Sequence, residues 1–432
     1  MARLVTVLVA LGLLVLAPAV QAGPSGFSDA QRVGDGTVSQ PAAAVLRDGT
    51  AVVAWVQRPG GSRLVVARRD GPSGPWRVRR LDRGSAWVRD VQVALDQQVR
   101  GLSVVWAEST RREQRIMAAT APRGGALGAP ARAAVVGSAT QAGPRLAVLR
   151  DGSALLVLRD GARRDRRPSL RVLRRRTGQP RFADVARIER DGVRPAVAAD
   201  ARGAAVLGWS SPARPGDQGR RELRVLRLTG GGRARGRSQQ LSGQTTGRVR
   251  LVSAPSGDVV ASYTGPAPDG LALLRRVVAR AGAGLALDPV TSLGAGPAAW
   301  RPPAALAVGR AGRAAAAWTL PAQGTTPFQV VHALREPSGT WQRFARPAAP
   351  TPMAGDPAVH VWDDAVVAWA TARAEPGPAT YDVLVARPGG AGEVLGTSVG
   401  PDGRGLVVAS AGPRALLAWP AAGGGMDVAE RG

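Results

Sequence analysis

A short apolar run that ends in a large side chain recurs along the whole chain. Each copy begins at Gly, Asp or Pro and continues through four to six mostly small apolar residues. Because consecutive positions are apolar, both faces of the segment are hydrophobic. Successive copies end 51, 52, 51, 54, 55, 51 and 50 residues apart, and such a constant period indicates a repeat fold. The copies end at Trp55, Trp106, Leu158, Trp209, Tyr263, Trp318, Trp369 and Trp419.

The segments around each copy predict antiparallel strands. A short apolar strand precedes the copy, as at 194–200, and alternating apolar and polar strands follow it, as at 222–228 and 181–189. Period-two alternation with Gly-rich turns between the segments indicates antiparallel pairing. Four strands in a unit of roughly 50 residues match a β-propeller blade. We therefore predict an all-β fold, a β-propeller of eight four-stranded blades, with the recurring Trp side chains packed between blades.

The two ends of the chain predict how the ring closes. The C-terminal copy stops in a third strand at 426–432, whereas residues 27–46 resemble residues 181–200, a fourth strand followed by a first strand. We expect the N-terminal strand to complete the last blade, since closure removes the open sheet edges. The alternative is seven blades and a separate hairpin.

Residues 1–22 predict a secretory signal peptide. Arg3 provides a positive start, 4–16 is an uncharged apolar run, and 20–22 has small residues where a signal peptidase cleaves. No later stretch is apolar for long enough to span a bilayer. The predicted organisation is therefore a signal peptide at 1–22 and a single propeller domain at 23–432, in a protein that is secreted, extracellular or held in the cell envelope.

The charge of the chain is high but has a general cause. The net charge is +27, and all 58 basic residues are Arg, with no Lys and no Asn in the chain. This usage is typical of a G/C-rich genome and suggests a high-GC bacterium. The position of the Arg residues is more informative: residues 23–264 hold 43 Arg and 19 acidic residues, whereas 265–432 hold 14 Arg and 12 acidic residues. One half of the predicted ring is therefore basic.

Several Arg residues of the basic half fall in predicted loops between second and third strands, which emerge on one face. Guanidinium groups bind phosphate and carboxylate in a bidentate manner, and a patch of one sign attracts polyanions. The alternative is a solvated surface without a partner. The candidate anion-binding residues are Arg111, Arg112, Arg163, Arg164, Arg166, Arg167, Arg220 and Arg221.

Two turns resemble the Asp-box of sialidase/BNR-like propellers. They read RRDGPSGPW at 68–76 and REPSGTW at 335–341, with Trp in the expected place after Gly and a degenerate Ser-x-Asp half. The resemblance implies a secreted propeller of the sialidase type. Active sialidases use an Arg triad, a Tyr paired with Glu and an Asp that serves as the acid. The only two Tyr, Tyr263 and Tyr381, lie in strand positions where no nucleophile is presented.

The residues that could support catalysis do not form an obvious set. The chain has no Cys and only two His, so we predict no metal site and no cofactor. A glycosidase needs two carboxylates at a fixed separation, and loop carboxylates are common on any surface. The acidic residues of the predicted binding-face loops are Glu108, Glu113, Asp217, Glu375, Asp35, Asp356 and Asp402.

These observations favour a binding protein over an enzyme. The first strands contain mainly Pro, Ala and Val, which predicts a channel lined by small apolar side chains. The expected function is an exported, non-catalytic propeller that binds or scaffolds, as a monomer, through its basic face. Its expected partners are an acidic polysaccharide, a teichoic-acid-like polymer or a protein, and neither nucleic acid nor a membrane span is expected. The alternative is an extracellular, sialidase-like hydrolase or lyase that acts on glycans.

Overall fold

The structure is a computed structural model of the chain. It describes residues 26–432 except for 59–61, 82–86, 97–100, 111–112, 123–124, 137–142, 161–168, 191, 201, 214–220, 244–247, 255, 265–271, 280–284, 288–290, 293–303, 322–327, 337–340, 346–356, 373–379, 388–391 and 400–404.

The chain forms antiparallel sheets that follow one another in sequence. The first strand, β1 (Gln31–Gly34), belongs to the last sheet, and the first four complete sheets come next. Sheet A contains β2 (Val38–Val45), β3 (Ala51–Gln57), β4 (Arg63–Arg69) and β5 (Arg77–Arg80); sheet B contains β6 (Trp87–Leu95), β7 (Leu102–Ser109), β8 (Gln114–Ala121) and β9 (Ala131–Val136); sheet C contains β10 (Arg145–Val148), β11 (Ala154–Asp160), β12 (Ser169–Arg175) and β13 (Ala183–Arg190); and sheet D contains β14 (Val193–Ala199), β15 (Ala205–Pro212), β16 (Arg221–Leu228) and β17 (Ala234–Ser242).

The remaining strands form four further sheets. Sheet E contains β18 (Val249–Ser253), β19 (Val259–Thr264), β20 (Ala272–Ala279), β21 (Leu285–Leu287) and β22 (Thr291–Ser292); sheet F contains β23 (Ala305–Val308), β24 (Ala314–Pro321), β25 (Phe328–Arg335) and β26 (Trp341–Ala345), with a 3-10 turn at Arg310–Gly312; sheet G contains β27 (Ala358–Val361), β28 (Ala365–Ala372), β29 (Thr380–Ala386) and β30 (Glu393–Val399); and sheet H contains β31 (Val407–Ala411), β32 (Arg414–Pro420), β33 (Met426–Arg431) and β1.

The sheets close into a ring around a central channel. The first strand of each sheet contacts the first strand of the next sheet, and β31 of sheet H contacts β2 of sheet A. This arrangement is an all-β propeller, as predicted. Within the described residues, no helix is long and apolar enough to cross a membrane.

The prediction of eight four-stranded blades is wrong. The propeller has seven four-stranded blades, which are sheets A to D and F to H. Sheet E differs from them because it has five strands. Both β21 and β22 pair with β20, the former opposite Val277–Ala279 and the latter opposite Leu273 and Leu274, so they occupy the place of one divided outer strand. Pro289 lies between them in the sequence, and a proline has no N–H with which to continue a ladder.

The N-terminal strand completes the sheet formed by the C-terminal strands, as predicted. In sheet H, β1 pairs with β33 in antiparallel register, with Gln31 opposite Val428. The backbone N–H of Ser28 extends the pairing with a hydrogen bond to the carbonyl of Glu430 (2.7 Å). The two termini therefore hold the ring closed.

The large side chain that ends each repeat lies between two neighbouring sheets. All eight of these side chains are buried, with at most 5% of their surface exposed. Trp55 of sheet A packs on Gly34 of sheet H, where a Cβ would lie 2.7 Å from Cζ2 of the indole. Trp419 of sheet H packs in the same way on Gly396 of sheet G. The predicted packing of the Trp residues between blades is confirmed, and glycine on the adjoining strand makes room for the ring.

Candidate anion-binding site at the mouth of the central channel

The first strands of the sheets line the central channel. We call the end of the channel where these strands begin the start end, and the end where they finish the turn end. At the turn end these strands finish and turn into the second strands, and a cavity of about 1340 Å³ opens there. Val, Ala and Leu side chains of the strands line it, as expected, but the turns add charged residues such as Arg47, Asp48 and Arg150. The prediction of a channel lined by small apolar residues is therefore incomplete.

The aspartates at the turn end have a structural role. Asp48 and Asp151 each accept a hydrogen bond from the backbone N–H two residues later, at 2.9 Å. Asp200 accepts from the N–H of Ala204 (2.8 Å) and forms a buried ion pair with Arg227 at 3.0 Å. These carboxylates close the turns between first and second strands.

At the start end, where the first strands begin, three non-glycine residues have a left-handed backbone. Gln40, Asp90 and Arg194 have φ values of 51°, 54° and 53°. Each lies at a register shift between the first and second strands of its sheet. Such a conformation costs about 1–3 kcal/mol per residue and concentrates at functional sites, and bulges redirect side chains near active sites.

The three strained residues occupy one repeated position. In each sheet, the residue six positions later donates the backbone N–H hydrogen bond that closes the turn between the first and second strands. Gly143 of sheet C and Arg248 of sheet E occupy the same position in their repeats. Five consecutive sheets, A to E, therefore bring this position to one side of the channel start.

Asp90 is held between two neighbouring sheets. Its backbone N–H donates a hydrogen bond to Oε1 of Gln40 in sheet A (2.7 Å). On the other side, a Cβ placed on Gly143 would lie 3.4 Å from Oδ1 of Asp90 and 3.2 Å from Nη1 of Arg145. A side chain at this position would be crowded, so a carboxylate oxygen and a guanidinium nitrogen both lie directly against Gly143. Arg89 lies on the other edge of the carboxylate, with its Nε 3.8 Å from Oδ2.

Charge around Gly143 is unbalanced. Burial lowers the pKa of Arg145, while Asp90 raises it and Arg248 lowers it. Burial and Arg248 also lower the pKa of Arg194. The guanidinium group of Arg248 therefore repels those of Arg145 and Arg194, and a bound anion would relieve this repulsion. We call Gln40, Asp90, Arg145, Arg194 and Arg248 the mouth cluster.

The predicted anion-binding residues lie almost entirely outside the described residues. Arg221 is described, at the start of β16, and its guanidinium donates to Oγ (2.9 Å) and the carbonyl (3.0 Å) of Ser210 on the adjacent strand. The other seven predicted residues are Arg111, Arg112, Arg163, Arg164, Arg166, Arg167 and Arg220.

The acidic loop residues considered from the sequence do not form a pair in the described part of the chain. Glu108 accepts a hydrogen bond from Nε1 of Trp106 (2.9 Å), and Glu113 forms an ion pair with Arg115. Asp217, Glu375, Asp356 and Asp402 lie outside the described residues. No group of three or more His, Cys, Asp or Glu side chains in the described ranges could hold a metal ion.

The mouth cluster was not predicted, because its residues lie at the starts of first strands whereas the predicted anion-binding residues lie in predicted loops. Gln40 and Arg194 each precede a proline at the start of a first strand. Aligning the first strands on their following turns would have placed these residues, Asp90 and Arg248 in one column. The recurrence of charged or amide residues in that column is the sequence signal that would have predicted the site.

Comparison with known proteins gives only distant similarities. No family model matches the chain, and no curated protein matches it. The chain is similar to a solved alpha-L-arabinofuranosidase from Fusarium graminearum at 12% identity and a TM-score of 0.46, over 72% of this chain and 99% of that chain. It is also similar to an ulvan lyase of a polysaccharide lyase family (13%, TM-score 0.42, 92% and 94%) and to a Hadza microbial sialidase (12%, TM-score 0.37, 76% of each). Similarities this distant assign no activity, so the residues of the channel mouth carry the functional argument.

Proposed function

We propose that this protein acts on an anionic glycan at the mouth cluster, as a hydrolase or a lyase. The observation that carries the proposal is the approach of a carboxylate oxygen, Oδ1 of Asp90, and a guanidinium nitrogen, Nη1 of Arg145, to the same residue, Gly143. Export through the predicted signal peptide would bring the protein to polymers of this kind.

The arginines suit a carboxylate or sulfate group of a sugar. A guanidinium presents paired donors that match the oxygens of such groups, and its interaction strengthens where water is partly excluded. Arg145 is partly buried, whereas Arg194 and Arg248 are exposed. An anionic sugar would therefore meet two exposed cations first and a third, partly buried one beside Asp90.

Trp87 supplies an exposed aromatic ring at the end of β6 where Asp90 lies. Its side chain is 68% exposed and lies three residues before Asp90 in β6, at a Cα separation of about 10 Å along an extended strand. A large exposed aromatic ring next to a polar site provides an apolar face on which a sugar ring can pack.

Asp90 supplies the group that can move a proton. In a lyase, the arginines neutralise the sugar carboxylate and Asp90 takes the proton from the carbon next to it. A C=C bond then forms between that carbon and the following one, while the C–O bond to the next sugar breaks with its electron pair on oxygen, which takes up a proton from water. In a hydrolase, Asp90 serves as one of the two carboxyl groups that such a reaction uses.

A second candidate is binding without turnover. Of the five side chains in the mouth cluster, only Asp90 is acidic, whereas glycoside hydrolysis ordinarily uses two carboxyl groups. A cluster that binds the anion alone would use the same arginines and would not need the carboxylate.

The test compares wild type with Asp90→Asn on a panel of uronate-containing and sulfated polysaccharides. Asparagine adopts a positive φ readily, so the bulge is retained. We expect turnover, measured by new reducing ends or by the absorbance of an unsaturated product, to fall about 10²- to 10⁴-fold. Binding should change little.

The matched control is Asp48→Asn, the same substitution at the turn end, which should leave turnover unchanged. Full turnover by Asp90→Asn would overturn the assignment of the reaction to the mouth cluster. Wild-type binding that depends on Arg194, with no product from any polymer, would establish the second candidate instead.

A further inference from the structure

A groove on the outer part of the propeller lies between sheets C and D. The turn from β12 to β13 and the turn from β16 to β17 form its walls, and its volume is about 730 Å³. In an antiparallel sheet these turns lie at the turn end of the ring, on the face opposite the mouth cluster. The charged residues that line the groove are Arg174, Arg176, Arg181, Arg233 and Asp184.

The wall from sheet D is seated directly on sheet C. Gly232 has a φ of +81°, and a Cβ on it would lie only 2.6 Å from Cγ2 of Val185 on β13. Its turn is closed by hydrogen bonds from the N–H of Gly232 to the carbonyl of Thr229 and from the N–H of Thr229 to the carbonyl of Arg233, both 2.8 Å. The contact therefore holds Arg233 at a fixed place on the groove edge.

The wall from sheet C is also an ordered turn. The N–H of Gln179 donates to the carbonyl of Arg176 (3.0 Å), and Oγ1 of Thr177 donates to the carbonyl of Asp151 in the neighbouring turn of the same sheet. Arg176 and Arg181 stand at the two ends of this segment, and both are exposed. The groove thus has a cation on each side in a defined backbone frame.

The groove carries a surplus of positive charge. The one carboxylate among its described lining residues, Asp184, is already bound in a bidentate ion pair to Arg171. Arg174 has Asp151 as a partner at 3.5 Å. In the described part of the chain no carboxylate lies within ion-pair distance of Arg176, Arg181 or Arg233. These three arginines are available to an anionic ligand.

We infer that this groove is a second binding site, one that takes a segment of sulfated or carboxylated polysaccharide. Guanidinium groups spaced along an open groove match a polymer with an anionic group on successive units. Among the described residues, the lining contains no aromatic ring, whereas proteins that bind single-stranded nucleic acids use such rings to stack the bases. The groove would hold the polymer on the face opposite the mouth cluster, in addition to any reaction there.

The test measures binding of a size-defined heparin oligosaccharide to the full chain across a salt series. The variant combines Arg176→Glu, Arg181→Glu and Arg233→Glu. We expect its affinity to fall about tenfold or more at low salt, with a smaller difference at high salt, because exposed charges are screened. The control combines Arg63→Glu, Arg77→Glu and Arg80→Glu, three exposed residues of sheet A, and changes the net charge equally. We expect it to lower the affinity less than about twofold.

Equal losses in the two triple variants would show that only net charge matters and would overturn the inference. Single-stranded DNA that bound as tightly as heparin and was lost in the same variant would overturn the polysaccharide assignment. Repeating the measurement in an Arg194→Gln, Arg248→Gln background separates this site from the proposed function. There the loss caused by the groove variant should persist, whatever becomes of turnover at the mouth cluster.

Discussion

The two ends of the channel use aspartate in different ways. At the turn end, the carboxylate of Asp200 accepts hydrogen bonds from its own turn and pairs with Arg227 of the same sheet. At the start end, Asp90 is held through its backbone by Gln40 of another sheet, and its carboxylate lies against Gly143 next to Arg145. The carboxylate of Asp200 is engaged in contacts that stabilise the fold, whereas the carboxylate of Asp90 lies among the guanidinium groups of the proposed binding site. The partners of a carboxylate therefore distinguish a structural group from a reactive one.

The same substitution at the two ends should separate these roles most clearly. Asp200→Asn leaves the buried guanidinium of Arg227 without its counter-charge, and we expect a loss of about 3–5 kcal/mol in the free energy of unfolding. Asp90→Asn should cost less than about 1 kcal/mol, because its carboxylate is partly exposed. Urea unfolding followed by Trp fluorescence measures both.

The comparison fails if Asp90→Asn destabilises the protein as much as Asp200→Asn. Such a result would make Asp90 a structural residue like those of the turn end. Arg227→Met, which removes the buried cation, should recover part of the stability lost in Asp200→Asn.

Acid should weaken the turn end through His360. Burial and, to a smaller extent, the charge of Arg431 lower the pKa of His360 to about 4, although Asp364 and the carbonyl of Pro413 oppose the shift. The neutral ring lies 2.9 Å, Nδ1 to Oγ, from Ser410 on the next first strand. Since the unfolded chain binds this proton near pH 6.5, stability is complete above that pH and is lost as the pH falls toward 4. The full loss is about 3 kcal/mol.

Unfolding free energies at pH 7 and pH 4.5 check this expectation. His360→Gln has no titrating ring, so its stability should fall less between the two pH values than that of wild type. An identical pH dependence in the variant would assign the acid sensitivity to other groups.

The smallest effect concerns backbone strain at the start end. Arg194→Gly should raise the free energy of unfolding by up to about 1 kcal/mol, because glycine adopts a φ of 53° without strain. The same variant should bind anionic glycans more weakly. Arg202→Gly, at an exposed turn residue of the same sheet, is the control and should not stabilise the protein. A destabilised Arg194→Gly would show that the bulge carries no strain to release.

Much of the fold was predictable because its signals are local and repeated. The constant period, the doubly apolar second strands and the similarity of 27–46 to 181–200 predicted the propeller, the buried Trp column and the pairing of β1 with β33. The divided outer strand of sheet E was not predicted. Its only local sign is Pro289, and prolines are common in the loops of this chain.

The candidate site depended on the tertiary structure for a different reason. The sequence by itself determined the repeat, the buried faces of the strands and the surplus of arginine in one half of the chain. Only the closed ring decided which arginines meet, because Asp90, Arg145, Arg194 and Arg248 come from four different sheets and are far apart in sequence. The pattern of hydrophobic residues depends on positions that are close in the sequence. The electrostatic field at the channel mouth, in contrast, is the sum of charges that only the closure of the ring brings together.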